Sequence, residues 1–342
     1  MDNCLHTFDR SVGADELPRL FTCPFCYEPH PLVREAAASL GRYLSGRSDW
    51  TDELNGGKMF GVLIVEDTAG TVGFLAAFSG LLAGDNHHDY FVPPVYDLLR
   101  PDGYFKQEEA CISDMNRRIN ALEASTVRVK AREAYEKARR EAAAALERAR
   151  TEAAERKARR QVRRLAATEA EKAGMIRESQ FDKAELRRLR QRLDALVENA
   201  RQEVETFEAV LRSWRAERHR RSAALQQRLF ESYQLLSARG QTCSLYELFR
   251  REGRIPPGGA GECAAPKLLQ YAYLHQLRPV AMGEFWWGRS PQGEVRHHGH
   301  FYPSCKSKCE PILRFMLDGL AVEPNPLVCP SRTGQSLPVV YE

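Results

Sequence analysis

The middle of the chain carries apolar residues at alternating steps of three and four. The clearest run comprises Leu186, Leu189, Leu193, Leu196, Ala200, Val204, Phe207, Leu211 and Trp214. This spacing places the side chains on one face of an α-helix and is typical of helices that pair along an apolar seam. A thinner run precedes it, at Ile112, Met115, Ile119, Leu122, Leu146, Val162 and Leu165. The pattern predicts long helices that associate with one another.

Helix-breaking residues are almost absent from this stretch. No proline lies between Pro101 and Pro256, and Gly174 is the only glycine between Gly103 and Gly240. We expect the chain to turn near Gly174, because glycine is unfavourable in a helix interior. The prediction is an antiparallel two-helix coiled-coil hairpin. The alternative is one continuous helix that dimerises with a second copy of the chain.

The two flanks of this stretch show a different pattern. Residues 58–80 form two apolar runs around Asp67–Gly70, which predicts a β-hairpin. The C-terminal flank predicts, in order, a helix over 265–275, a strand over 280–288, a strand over 294–302 and an amphipathic helix over 305–320.

Together these patterns predict an α+β protein, in which a long helical hairpin interrupts a small mixed α/β domain. A helical hairpin returns to its starting point, so its insertion leaves the two halves of a domain free to meet. The predicted segments are the first half of the domain at 1–105, the hairpin at 106–240, the second half at 241–330, and a linker with the start of a further strand at 331–342.

Positive charge is concentrated in one part of the chain. The 342 residues carry a formal net charge of +4, but residues 117–192 hold 23 Lys+Arg against 12 Asp+Glu. That segment therefore has a net charge of +11 and leaves −7 for the remainder. No apolar run predicts a transmembrane helix, and the N-terminal residues lack the apolar core of a secretory signal. We expect a cytoplasmic protein without membrane contact.

The basic segment is a candidate surface for nucleic-acid phosphates. Its candidate residues are Arg139, Arg140, Arg156, Lys157, Arg159, Arg160, Arg163 and Arg164. No aromatic residue lies between Tyr135 and Phe181, so binding here would be directed to the backbone and not to the bases. The alternative is that Glu–Arg pairs merely keep the surface of a coiled coil solvated.

Three of the nine cysteines are spaced as candidate metal ligands. Cys305 and Cys309 are one helical turn apart, and Cys263 begins the preceding predicted helix. Zinc could be held by these three thiolates, with His298 or His300 as a fourth ligand. The alternative is three buried thiols without a metal. Cys23 and Cys26, with His30 nearby, form a weaker C-x-x-C motif that could bind zinc itself or complete the C-terminal site.

The layout of these cysteines resembles that of zinc-dependent nucleotide deaminases, which present a His/Cys-x-Glu helix and a Pro-Cys-x-x-Cys helix. Two features of this sequence depart from that pattern. Ala265 stands where the proton-shuttling Glu is expected, with Glu262 before the cysteine instead, and three residues separate Cys305 from Cys309. A deaminase-like fold or a vestigial zinc module therefore remains an alternative interpretation.

Several distinctive strings give the chain a family resemblance. They are "PFCYEPHPL" at 24–32, "GKMFGVLIVED" at 57–67, "YFVPPVYDLL" at 90–99, "AAPKLLQYAY" at 264–273, "GEFWWG" at 283–288 and "FYPSCKSKCEPIL" at 301–313. In combination they resemble the N-terminal extension of a long subgroup of RluA-type RNA pseudouridine synthases. The resemblance runs from about Pro24 to Glu342 and includes the basic coiled coil.

The resemblance implies a role beside a catalytic domain. The family's His-Arg-Leu-Asp signature is absent, and Gln191-Arg192-Leu193-Asp194 lies within the apolar seam and lacks the His. We therefore expect no catalytic residue in this chain. In the family, "LPVVYE" would open the first strand of the catalytic domain, which isomerises uridine to pseudouridine without a cofactor. The implied function is to bind and position RNA, either tRNA or rRNA, for that domain. A coiled-coil scaffold that self-associates is a further alternative.

Overall fold

The computed structural model describes residues 4–26, 28–100 and 103–325 of the chain. It is a mixed α and β structure that divides into two units, one made of 1–107 with 224–342 and the other of 108–223. The predicted linker and strand at 331–342 lie outside the described residues.

Short strands and short helices form the two flanks of the chain, and the long helices lie between these flanks. Within the described residues the strands are β1 (His6–Thr7), β2 (Lys58–Glu66), β3 (Val72–Phe78), β4 (Gln234–Leu236), β5 (Thr242–Ser244), β6 (Arg278–Trp287) and β7 (Phe301–Tyr302). The helices are α1 (Pro31–Ser45), α2 (Thr51–Gly56), α3 (Tyr104–Glu123), α4 (Thr126–Arg164), α5 (Glu169–Ser232), α6 (Leu245–Arg251), α7 (Ala264–Leu274) and α8 (Cys309–Met316).

The first unit is built around one five-stranded sheet. Its order is β1-β3-β2-β6-β7, and every neighbouring pair is antiparallel. The predicted β-hairpin is confirmed, since β2 and β3 pair with Leu63 opposite Leu75. On its other side β2 pairs with β6, with Leu63 opposite Met282. Residues that precede and follow the long helical segment thus form a single sheet.

Each face of this sheet carries its own hydrophobic core, because side chains alternate along a strand. On β2, Leu63 and Val65 belong to one core, while Val62 and Ile64 belong to the other. Helix α1 packs against the second face with Leu40 fully buried, and α7 and α8 contribute to the first.

Helix α7 lies unusually close to the sheet at Gly61. A Cβ atom at this position would stand only 2.9 Å from Cβ of Ala264 and 3.2 Å from Cδ1 of Leu268. The first distance is shorter than carbon atoms tolerate, and the second is tighter than most contacts of a Cβ atom. The missing side chain of Gly61 therefore allows the first turn of α7 to pack on β2.

The second unit is formed by parts of α3 and α5 together with α4. Ion pairs show that α4 and α5 run antiparallel: Arg128 meets Glu208 at 2.7 Å, and Arg160 meets Asp182 at 2.5 Å. Along the predicted apolar stripe of α5, Leu211 is buried, whereas Leu196 remains 61% exposed. Most of the other stripe residues are half-buried.

The turn between the two long helices lies at 165–168, so the prediction of a turn near Gly174 is wrong. Gly174 lies inside α5, near its start. The cause is local, since Thr168 forms a capping box with Glu171. The amide and the hydroxyl of Thr168 donate to Oε2 of Glu171, at 2.7 and 2.8 Å. This interaction starts a helix whose length tolerates one glycine.

Three further predictions differ from the structure in extent. The strand predicted over 294–302 is reduced to Phe301–Tyr302, because 294–300 lack alternating apolar residues and turn at Gly299, where φ is 73°. The helix predicted over 305–320 spans Cys309–Met316 and stops before Gly319, where φ is 95°. Residues 234–236, which were predicted to belong to the helical hairpin, form strand β4 instead. The helix and strand predicted over 265–275 and 280–288 are confirmed as α7 and β6.

In the part of the chain that the structure describes, none of the helices has the combination of length and apolar character that crossing a membrane requires.

Candidate functional site

Three cysteines converge in the first unit where two helices begin. Cys263 is the N-cap residue of α7, Cys309 is the first residue of α8, and Cys305 lies in the turn before it. Their Sγ atoms all lie within 4.8 Å of one another. The predicted ligands Cys263, Cys305 and Cys309 are thus brought together, although they come from two separate segments.

One helical turn sets the spacing of the two C-terminal thiols. The amide of Cys309 donates to the carbonyl of Cys305 at 3.1 Å, which places the two side chains on the same side. Their Sγ atoms are 3.5 Å apart. Cys309 is buried, Cys263 is half-buried and Cys305 is exposed, so the group opens towards solvent on the side of Cys305.

The three thiols strongly influence one another's ionisation. Hydrogen bonds from Cys263 and Cys309 lower the pKa of Cys305 well below the usual range of a thiol. Hydrogen bonds with Cys263 and Cys305 raise the pKa of Cys309, and burial raises it further. Cys305 is therefore the thiol of the group that ionises most readily.

The donor set suits zinc. Thiolate sulfur is a preferred zinc ligand, and a tetrahedral centre needs four donors. Among the described residues, the group that could hold a metal ion contains these three cysteines. Three protein ligands leave one position for another donor.

Neither histidine that was predicted as a fourth ligand joins the group. Nδ1 of His298 accepts a hydrogen bond from the amide of Gly288 at 3.0 Å, and its ring packs on Trp287. The ring of His300 packs near that of His297, with 5.2 Å between centroids.

The C-x-x-C motif lies beside the three cysteines without entering the group. The amide of Ser304 donates to the carbonyl of Pro24 at 2.7 Å, which brings the segment around Cys23 and Cys26 alongside Cys305. Cys23 is buried and its amide donates to Glu323 at 3.2 Å. His30 is the N-cap residue of α1, and its Nδ1 accepts from Leu32.

A buried carboxylate that the sequence analysis missed lies next to this group. Glu284 is only 5% exposed, in the middle of β6. Oε2 of Glu284 accepts from the hydroxyl of Ser304 at 2.6 Å, and Oε1 accepts from the amide of Ala265 at 3.3 Å. Burial raises the pKa of the Glu284 carboxyl. The signal in the sequence was a single acid within the apolar string "VAMGEFWWG".

Glu262, the acid that precedes Cys263, has a different partner. The hydroxyl of Tyr233 donates to Oε1 of Glu262 at 3.3 Å. Burial first, and the neighbouring charge of Glu262 second, raise the pKa of Tyr233 above its usual value.

In the second unit the positive charge gathers where α4 and α5 meet. Residues 156–192, here called the closed end of the hairpin, hold 13 Lys+Arg against five Asp+Glu. The open end of the hairpin, defined as residues 108–123 and 208–223, holds seven Lys+Arg against six Asp+Glu. The net charges of +8 and +1 show that most of the basic excess belongs to the closed end.

The eight predicted phosphate-binding residues fall into two groups. Arg156 and Arg160 both pair with Asp182 across the two arms, and the side chain of Arg160 is only 12% exposed. Hydrogen bonds and charges from these arginines outweigh burial and lower the pKa of Asp182. The other six residues are all exposed: Arg139, Arg140, Lys157, Arg159, Arg163 and Arg164.

Pairing with nearby acids differs among these exposed residues. Arg139 and Arg159 approach Glu136 and Glu155 on their own helix, at 3.9 and 3.6 Å. For Arg140, Lys157, Arg163 and Arg164, no carboxylate of the described residues lies within 4.0 Å of the charged group.

A groove of about 320 Å³ runs between the two arms at the closed end. Its walls include Lys157, Arg160 and Arg164 of α4 and Lys183 of α5, with Met175 buried at its floor. Lys183 was missed by the sequence analysis, because only the antiparallel pairing brings it next to Arg160. Four cations and no acid line this groove.

The string Gln191-Arg192-Leu193-Asp194 lies within α5. Asp194 is exposed and lies 3.6 Å from Arg190, while Leu193 is half-buried on the apolar stripe.

Comparison with known proteins found no matching family model, no matching curated protein and no matching solved structure.

Proposed function

We propose that this chain binds structured RNA through the closed end of its helical hairpin and positions that RNA for an RluA-type pseudouridine synthase domain in the cytoplasm. The observation that carries the proposal is the net charge of +8 within residues 156–192, compared with +1 at the open end. The family-like strings of the flanking segments are the reason to name RNA and pseudouridine formation.

The chemistry of the closed end favours contact with phosphates. Its exposed cations lie on both arms beside a groove without acids, and a polyanion would gain from releasing counterions there. Phosphate contacts fix the register and orientation of a nucleic acid without reading its sequence. Such a surface fits a positioning role, in which a catalytic domain supplies the chemistry at the target uridine without a cofactor.

The test is a titration of the full chain with tRNA and rRNA fragments. The closed-end variant replaces four exposed cations that make no cross-arm pair: Lys157→Gln, Arg159→Gln, Arg163→Gln and Arg164→Gln. The matched control removes the same charge at the open end: Arg117→Gln, Arg118→Gln, Arg218→Gln and Arg220→Gln. Arg156 and Arg160 are kept, because they hold the arms together through Asp182.

We expect the closed-end variant to bind at least about tenfold more weakly at 0.1 M salt, and its log–log salt slope to fall by about three to four. The control variant should change both values much less. The proposal would be contradicted if the wild-type chain does not bind RNA even at low salt. It would also be contradicted if both variants lose the same amount of affinity.

A second candidate function, a zinc-binding module, is favoured by one specific observation. Cys263, Cys305 and Cys309 place three sulfur donors within 4.8 Å of one another at two helix starts. The deaminase-like interpretation belongs with this candidate. In the deaminase pattern a Glu lies two residues after the first ligand, and this chain has Ala265 there.

A further inference from the structure

This chain has Ala265 where zinc-dependent deaminases have a Glu, but a carboxyl group from another element, Glu284 of β6, lies next to Ala265. Ala265 is buried in the first turn of α7, and its amide donates to Oε1 of Glu284 at 3.3 Å. Residue 284 lies on β6, opposite Gly61 of β2. Because Gly61 has no side chain, the Glu284 stem fits beneath the start of α7, where a Cβ at Gly61 would stand 3.5 Å from Cγ of Glu284.

The second cysteine segment contacts the same carboxylate. The hydroxyl of Ser304, directly before Cys305, donates to Oε2 of Glu284 at 2.6 Å. Ser304 and Glu284 are each 5% exposed. A buried acid thus stands between the two segments that carry the thiols, with one oxygen directed to each segment.

Charge explains why a buried acid is tolerated here. A buried carboxylate is costly unless hydrogen bonds or positive charge compensate it. Among its contacts, Glu284 accepts hydrogen bonds from the amide of Ala265, in the first turn of α7, and from the hydroxyl of Ser304. The dipole of α7 favours a negative group at this end of the helix. A divalent cation on the neighbouring thiolates would further favour the ionised form of this carboxyl group.

The geometry of the donors separates Glu284 from the ligand set. The three Sγ atoms lie mutually within 4.8 Å, and the carboxylate of Glu284 is not a member of that group. Three protein ligands with an open fourth position are typical of catalytic zinc sites, whereas structural sites use four protein ligands. Cys305 is the most exposed of the three cysteines.

We propose that Cys263, Cys305 and Cys309 hold a zinc ion whose fourth ligand is an exchangeable water molecule, and that Glu284 accepts a hydrogen bond from this water. The site is then an open metal centre that can take small anions or a substrate oxygen in place of water. This inference rests on the second candidate function, zinc binding by the first unit, and is independent of RNA binding by the hairpin.

X-ray absorption spectroscopy of the zinc-loaded full chain tests the ligand set directly. We expect one zinc per chain, with three sulfur atoms at about 2.3 Å and one oxygen at about 2.0–2.2 Å. Four sulfur ligands would overturn the proposal and would identify a closed site, for example with Cys26 as the fourth donor. Failure of the reduced chain to retain zinc would overturn it as well.

Cobalt substitution tests the open position and the role of Glu284. Azide added to the cobalt form should shift the ligand-field absorption bands, since it displaces water. In Glu284→Gln the sulfur-to-cobalt absorption should persist, but azide should bind at least about tenfold more tightly, because a negative neighbour has been removed. Glu262→Gln is the matched control, since its carboxylate bonds to Tyr233, and its azide affinity should stay unchanged.

The opposite results would refute these assignments. If azide leaves the spectrum of the wild-type cobalt form unchanged, the fourth position is not exchangeable. If Glu284→Gln retains cobalt and binds azide with the affinity of wild type, Glu284 does not contact the exchangeable ligand. The wild-type measurements remain decisive even where a variant fails to fold.

Discussion

The first unit buries two ionisable side chains, Glu284 and Lys267, and each is hydrogen-bonded to backbone groups. Glu284 lies beside the three cysteines, and Lys267 lies on the same helix as Cys263. Lys267 is 2% exposed, and its Nζ donates to the carbonyls of Phe78 and Gly80 at 2.9 and 3.2 Å. Buried charges of this kind make stability depend on pH.

Lys267 makes the first unit more stable at alkaline pH. Burial lowers the pKa of Lys267 from 10.5 to about 8. Below pH 8 both the folded and the unfolded chain carry the proton, so Lys267 adds no pH dependence. Between about pH 8 and 10.5 the unfolded chain binds more protons than the folded chain, and stability rises with pH by at most about 3 kcal/mol.

A comparison of wild type with Lys267→Met by urea unfolding measures this effect. The free energy of unfolding of wild type relative to the variant should increase between about pH 7.5 and 10. Lys306→Met, at an exposed lysine, serves as the control and should show a difference independent of pH. A pH-independent difference for Lys267→Met as well would contradict the assignment of this buried cation.

The sequence identified the cysteines of the site but not its carboxylate. Cys263, Cys305 and Cys309 were recognisable because metal-binding thiols at helix starts follow a known spacing. Glu284 was not, since its partners Ala265 and Ser304 lie about twenty residues away on either side. Only the placement of α7 on the sheet brings them together. A lone acid within an apolar strand is the signal that points to such a residue.

At the scale of elements, the approach of α7 to β2 decides where Cys263 stands. Gly61→Ala adds a Cβ that would meet Ala264 at 2.9 Å, so α7 must shift. We expect a loss of about 1–3 kcal/mol in the free energy of unfolding and a weaker affinity for zinc. Denaturant unfolding and competition with a chelator measure the two effects.

Gly56→Ala is the matched control for this variant. An added Cβ at Gly56 meets no atom within 4 Å, so this substitution should disturb no packed element. The control should retain the stability and the zinc affinity of wild type. If Gly61→Ala behaves in the same way as Gly56→Ala, close packing of α7 does not position Cys263.

The long helices show which local signals can be read from sequence. Steps of three and four predicted the helices, and the antiparallel ion pairs Arg128–Glu208 and Arg160–Asp182 could not be predicted until the turn was placed. The turn was predicted in the wrong place because one glycine, Gly174, destabilises a helix by only about 1 kcal/mol, which a long helix tolerates. The stronger signal was Thr168 with Glu171, a capping box directly after the basic end of α4.

On the scale of the whole molecule, the two units carry different chemistry. The first unit holds the thiols and the buried acid, whereas the second holds the basic excess of residues 156–192. Zinc binding and RNA binding can therefore be tested independently of each other. Loss of zinc should leave the salt-dependent binding of RNA by the hairpin intact.

The central claim is that the closed end of the hairpin positions RNA for pseudouridine formation. The most direct measurement introduces the four closed-end substitutions into the gene and maps pseudouridine in tRNA and rRNA. We expect at least one pseudouridine, in an RNA that crosslinks to the wild-type chain, to fall to less than about half its normal level. The open-end variant should keep that modification. If the closed-end variant loses RNA binding while every pseudouridine stays at its normal level, the account is contradicted.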